Sequence, residues 1–139
     1  MKRSLTLTFL ISFMVVMTIQ LHSGAQSPCF EKARTQKELN ECAAADLSQA
    51  DAELNQVYQR VLSRHADEPD AVTRIRKAQR AWIAFRDAEM EALFPESKRA
   101  QRGSSFEMCR LFQLTKLTQE RTSELKTMLE RREGDVCSQ

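Results

Sequence analysis

Seven apolar residues, Leu39, Ala43, Leu47, Ala50, Leu54, Val57 and Val61, recur at steps of three and four along one stretch of the chain. At 100° per residue that spacing gathers all seven on one side of an α-helix, leaving a stripe that must be covered by other helices. No segment alternates with period two and β-branched aliphatic residues are sparse, so the pattern argues against a sheet. The helix breakers agree with the stripe. The only prolines are Pro28, Pro69 and Pro95, and the only glycines after residue 25 are Gly103 and Gly134. Each falls where a helical pattern starts or stops.

These signals divide the chain into three long helices. The first is expected from Gln36 to His65, opened by a capping box in which the Thr35 hydroxyl takes a free backbone N–H and Glu38 reciprocates. The second starts at Pro69, among Asp67, Glu68 and Asp70, which favour the positive end of a helix. Its apolar face reads Val72, Ile75, Ala78, Trp82, Phe85 and Leu93, and Pro95 closes it. A loop, PESKRAQRG, follows. Ser104-Ser105-Phe106-Glu107 then reads as another capping box, opening a third helix that carries Met108, Leu111, Phe112, Leu114, Leu117, Leu125, Met128 and Leu129 and stops near Gly134. Short connections make long helices antiparallel neighbours, so the expected fold is all-α, an up-down-up antiparallel three-helix bundle.

Residues 1–25 read as a secretory signal peptide. Lys2 and Arg3 precede the uncharged run LTLTFLISFMVVMTI, and the segment ends in Ser23-Gly24-Ala25. The run is shorter than the roughly 20 residues of a membrane span, and Pro28 before Cys29 does not suit a lipoprotein processing site. The expected product is one soluble domain, residues 26–139, periplasmic or secreted, with no membrane attachment once the leader is removed. Two of the 21 Lys and Arg residues lie in the leader, and the remaining 19 balance the 19 Asp and Glu residues. That balance offers nothing to nucleic acid or an anionic membrane surface. All four cysteines, Cys29, Cys42, Cys109 and Cys137, follow the leader, so disulfides are the expected chemistry. His65 is the one histidine after residue 25, and no HExxH motif is present. No cofactor, metal site or catalytic residue is expected, and His65 reads as a surface residue near a helix C-terminus.

The polar residues that interrupt the apolar stripes are more informative. AQRAWIAFRDAEM places the single Trp82 between Gln79 and Arg86 at helical spacing. Asp51 and Asn55 lie one turn apart on the first helix, and Arg121 falls between Leu117 and Leu125 on the third. A buried charge needs a partner, so the expectation is a structural polar clasp made by Asp51, Asn55, Gln79, Trp82, Arg86 and Arg121, in which Asp51 pairs with Arg86 or Arg121.

The same residues carry a resemblance. Asn40-Glu41-Cys42, Ala50-Asp51 with Leu54-Asn55 and Tyr58, Gln79 with Trp82 and Arg86-Asp87, and Leu117-Thr118 with Arg121-Thr122 together resemble the LprI-type lysozyme-inhibitor domain, a family of exported bacterial proteins. The similarity extends over essentially all of residues 26–139. It implies a non-catalytic binding protein whose partner is a protein, a lysozyme in the family's naming case. Members often carry cysteines where this chain has Met90 and Gln113, so the resemblance also implies that one disulfide has been lost here as a unit. It favours Cys29–Cys42 as a disulfide, whose short loop would contribute roughly 3 kcal/mol. Cys109 and Cys137 then remain. A helix from Cys109 to Leu129 rises about 30 Å, while eight extended residues reach about 26 Å, so Cys29–Cys109 with Cys42–Cys137 stays open as the alternative. For a blocking role the candidate segment is Pro95 to Ser105, where Lys98, Arg99, Arg102 and Ser104 would meet the acidic groups of a glycosidase cleft. The competing function is a periplasmic interaction or immunity-type module without lysozyme activity.

Overall fold

The computed structural model describes residues 27–130, and every regular element in that range is helical. The leader assignment, Gly134 and Cys137 lie outside the described residues. Four α-helices follow in order: α1 (Pro28–Lys32), α2 (Gln36–Arg64), α3 (Pro69–Leu93) and α4 (Phe106–Glu130), with a 3-10 turn at Glu96–Gln101.

α1 is a short element absent from the sequence-based expectation. Pro28 occupies its first turn, and the Cys29–Cys42 disulfide ties it to α2 with a Cα–Cα distance of 5.6 Å. Phe30 also packs against Phe112 of α4, ring centroids 5.3 Å apart. The favoured disulfide is thus present. α2 begins with the expected capping box: the Glu38 N–H donates to Thr35 Oγ1 at 3.2 Å, and Glu38 Oε2 accepts from the N–H groups of Arg34 and Thr35 at 2.7 and 2.8 Å. Those backbone donors, Arg34 first, hold the Glu38 carboxyl below the usual carboxylate range.

α2 and α4 form the closely packed pair, and they run in the same direction. Gln36 lies against Met108 at one end, while Lys126 pairs with Glu53 and Arg64 donates to the Leu129 carbonyl toward the other. α3 runs the opposite way along α4: Phe94 meets Phe106, Gln79 meets Arg121, and Ile75 joins Leu125 in the core. The core consists of Leu54, Val57, Val61, Ile75 and Leu125, flanked by Tyr58, Leu62, Trp82, Met128 and Leu129.

Two expectations are corrected by this packing. α2 does not take its sequence neighbour α3 as its close partner, because the backbones of those two helices scarcely approach each other. Small side chains explain the preference for α4: Ala43 and Ala50 on α2 and Thr115, Thr118 and Thr122 on α4 are all buried. Their size lets two helix backbones come together. The buried face of α3 is also rotated from the one expected. Ala71, Ile75, Gln79 and Met90 are buried, whereas Ala78 is exposed, Phe85 is 55% exposed and Leu93 is 40% exposed.

The expected capping box at the start of α4 is replaced by another arrangement. The helix starts at Phe106, and the Glu107 carboxylate binds Arg99 and Arg110. Two guanidinium groups within reach outcompete a single backbone N–H for a carboxylate.

Candidate functional site

The polar clasp, expected to be structural, and the α3–α4 loop, expected to meet a partner, are the two regions that the sequence singled out. In the clasp, four of the six residues come together. Arg121 Nε donates to Gln79 Oε1 at 3.0 Å, and its Nη1 donates to Glu124 Oε2 at 2.8 Å. Trp82 lies beneath two cations, with the Arg86 and Arg121 guanidinium carbons 5.4 and 6.0 Å from its ring centroid. Arg86 in turn pairs with its neighbour Asp87 at 2.8 Å. The indole therefore carries two cation–π contacts while packing against the core.

Asp51 and Asn55 stand apart from this group. Asp51 is half-buried, Asn55 is exposed, and neither is bonded to Arg86 or Arg121. The expected ion pair of Asp51 with one of these arginines is replaced by pairs local to each helix. The reason is solvation: Asp51 retains access to water, and each arginine finds a carboxylate within one turn of its own helix. No charged side chain among the described residues is buried, so neither arginine needs a cross-helix ion pair.

The loop is more ordered than a solvated connector. Arg99 Nε binds Glu96 at 2.8 Å within the 3-10 turn, and Arg99 Nη2 binds Glu107 at 3.0 Å. Arg102 Nη1 donates to the Leu93 carbonyl at 2.9 Å, satisfying an acceptor at the end of α3. Both guanidiniums also lie over aromatic rings, Arg99 on Phe106 and Arg102 between Phe94 and Phe106. Those two rings meet edge to face at 5.7 Å and close the base of the loop. Glu107 is central to the arrangement. Hydrogen bonds from Arg110 hold its carboxyl below the usual carboxylate range against the opposing effect of desolvation, with the charges of Arg110 and Arg99 adding to the shift. Arg110 is raised correspondingly by its bonds to Glu107.

Of the loop residues proposed to meet a partner, Arg99 and Arg102 are thus engaged within the fold. Lys98 and Ser104 are exposed and stand in none of these contacts. Phe94, Phe106, Glu107 and Arg110 were missed by sequence reasoning, although an aromatic residue on each side of the loop was a visible signal. Beside the loop, Met90, Phe94 and Leu114 line an open depression together with the charged side chains of Asp87, Glu91, Glu96, Arg99 and Arg110.

His65 caps α2 and lies 3.1 Å from Glu68, near the opposite end of the molecule. Cys109 is exposed near the start of α4 and has no disulfide partner among the described residues. Among those residues, no group of three His, Cys, Asp or Glu side chains is placed to hold a metal ion, and no helix is long and apolar enough to cross a membrane.

Comparison with known proteins bears on what these regions serve. The chain is 35% identical over 136 residues to an uncharacterized protein of Rhizobium meliloti (strain 1021), a match that covers 89% of this chain and 95% of that protein. No solved structure matches it. The family model described as lysozyme inhibitor LprI matches residues 29–125, from the first disulfide cysteine through the clasp and the loop to the core residue Leu125. The chain belongs to the LprI lysozyme inhibitor family.

Proposed function

We propose that the chain is exported, loses residues 1–25, and acts in the periplasm or outside the cell as a non-catalytic protein that binds and inhibits a lysozyme. The observation that carries this reading is the family match over residues 29–125. Inhibition requires no chemistry from the inhibitor, only a surface that fills the glycosidase cleft and satisfies its acidic groups. The loop from Pro95 to Ser105 is the segment we assign to that role. Its support is preorganisation: the aromatic base and the bonds of Arg99 and Arg102 fix the 3-10 turn before any partner arrives. Binding then requires little further ordering of the chain.

The loop's internal contacts divide its residues by role. Arg99 and Arg102 shape the turn, and Lys98 and Ser104 make the contact. Titrating the mature protein against a panel of lysozymes, with binding and lysis measured together, tests both levels of the proposal. Inhibition by the wild type, weakened in Lys98→Gln with an unchanged melting temperature, is the expected result. Wild-type inhibition undiminished in Lys98→Gln, and also in Arg99→Gln/Arg102→Gln, would remove the loop from the mechanism. Failure to bind any lysozyme would remove the premise and leave an envelope interaction module as the better reading.

A further inference from the structure

The outer face of α3 has a pattern that neither the core nor the loop uses. Ala78, Ala81, Phe85, Ala88 and Ala92 recur at steps of three and four, and all five are exposed. At 100° per residue their stripe lies roughly a third of a turn from the buried one. It consists of a single large apolar side chain, 55% exposed, with small residues on both sides. That is the relief of a knob beside shallow holes, the form in which two helices pack closely.

The charges beside the stripe are divided between its two halves. Arg74, Lys77 and Arg80 lie before Phe85, whereas Asp87 and Glu91 lie after it, and all five are exposed. Asp87 pairs with Arg86, while no ion pair among the described residues uses Arg74, Lys77, Arg80 or Glu91. A helix that is basic in one half and acidic in the other is complementary to itself when two copies run antiparallel. A two-fold axis near Ile83 would seat Phe85 of each copy beside Ala81 of the other. It would also bring Lys77 and Arg80 of each copy to the Asp87–Glu91 segment of its mate. One patch meeting itself in this way is the isologous arrangement of a two-fold dimer.

We propose that the mature protein forms an antiparallel homodimer through the Ala78–Ala92 face of α3. Charge complementarity favours a second copy, because an unrelated partner would have to reproduce both signs in register. α3 is 25 residues long, or about 37 Å, so the dimer would carry its two Pro95–Ser105 loops at opposite ends. This inference is independent of the lysozyme reading. Either can fail alone.

Sedimentation velocity over a wide concentration range tests it, on the mature chain carrying Cys109→Ser and Cys137→Ser so that thiols cannot link the copies. A concentration-dependent dimer is expected. Phe85→Glu should raise its dissociation constant by more than about tenfold, as removal of a packed anchor does. Lys77→Glu/Arg80→Glu and Asp87→Lys/Glu91→Lys should each be monomeric alone and should pair when mixed, because mixing restores opposite charges on both halves. Circular dichroism melts confirm that each variant is folded. A wild type that stays monomeric at every concentration would overturn the proposal and leave the face to another protein. So would a dimer indifferent to Phe85→Glu, or charge variants that fail to pair on mixing.

Discussion

The α2–α4 interface and the α3 helix solve the problem of packing in opposite ways. Between α2 and α4 the contact is made of small and branched side chains: Ala43, Ala50, Val57 and Val61 on one helix, and Thr115, Thr118, Thr122 and Leu125 on the other. The threonines can be buried because two of them bond within their own helix. Thr115 donates to the Leu111 carbonyl and Thr122 to the Thr118 carbonyl, each at 2.9 Å. α3, by contrast, contributes Ile75 to the central cluster, buries only Ala71 and Met90 among its other apolar residues, and meets α4 through an amide, a guanidinium and an indole. Its large apolar residues Ile83, Phe85 and Leu93 remain exposed. The difference suggests a division of labour in which one pair of helices supplies cohesion and the third supplies surface.

Truncation of core and surface side chains should sharpen that contrast most. Leu125 is fully buried at the meeting point of all three long helices, so Leu125→Ala should destabilise the fold by about 3–5 kcal/mol. Phe85→Ala removes a larger side chain from an exposed site and should change stability by less than about 0.5 kcal/mol. Urea melts of the two variants, taken at concentrations where the chain is monomeric, measure both. Equal losses would mean that the outer face of α3 is part of the core.

A smaller effect separates the two arginines of the clasp. Arg121→Met leaves the buried Gln79 amide without its partner and should cost about 1–2 kcal/mol. Arg86→Met removes an ion pair whose other member, Asp87, is 61% exposed, and should cost well under 1 kcal/mol in the same melts. Thr118 tests the α2–α4 side. Its hydroxyl is buried without a hydrogen-bond partner among the described residues. Thr118→Val should therefore stabilise by about 1 kcal/mol, visible as a raised denaturation midpoint. A loss of stability would indicate that the hydroxyl is satisfied in solution.

The smallest expected effect is one of pH at the loop. The Glu107 carboxyl lies below its ordinary value of 4.5 in the folded state. Its contribution is fully present above that ordinary value and is lost as pH falls through the depressed folded value. Glu107→Gln should flatten that part of the acid limb in melts taken across the carboxylate range, with the protein otherwise folded. An unchanged acid limb would show that the Arg99–Glu107–Arg110 cluster is loose in solution.

How much of this was legible in the sequence depended on whether the signal was local. The start of α2, its capping box and the start of α3 at Pro69 follow from neighbouring residues and are where the sequence placed them, and α2 ends within one residue of the expected His65. The face of α3 was misjudged because side-chain polarity was taken as the guide to burial. Gln79 goes inside because Arg121 satisfies its amide, and Phe85 stays outside because it lies well round the helix from the buried Ile75, Gln79 and Met90. The burial of Thr115 and Thr122 on α4 was not expected for the same reason, since a bond to the carbonyl four residues back makes a hydroxyl compatible with a core. The clasp residues Gln79, Trp82, Arg86 and Arg121 could be grouped from spacing alone. The separation of Asp51 could not, because it depends on how much water reaches that side chain in the folded state. The loop arginines were assigned outward for want of any view of Phe94 and Phe106 beneath them.

Native-state hydrogen exchange tests the division of labour most directly. Amides of α2 around Leu54 to Val61 and of α4 around Leu111 to Leu125 should exchange only through global unfolding, with free energies equal to that from denaturant melts. Amides along α3 should exchange through a smaller opening at a clearly lower free energy, because that helix buries only Ala71, Ile75 and Met90 besides its polar clasp. Protection of α3 equal to that of α2 and α4 in the monomer would contradict the account, and would make the three helices a single cooperative unit.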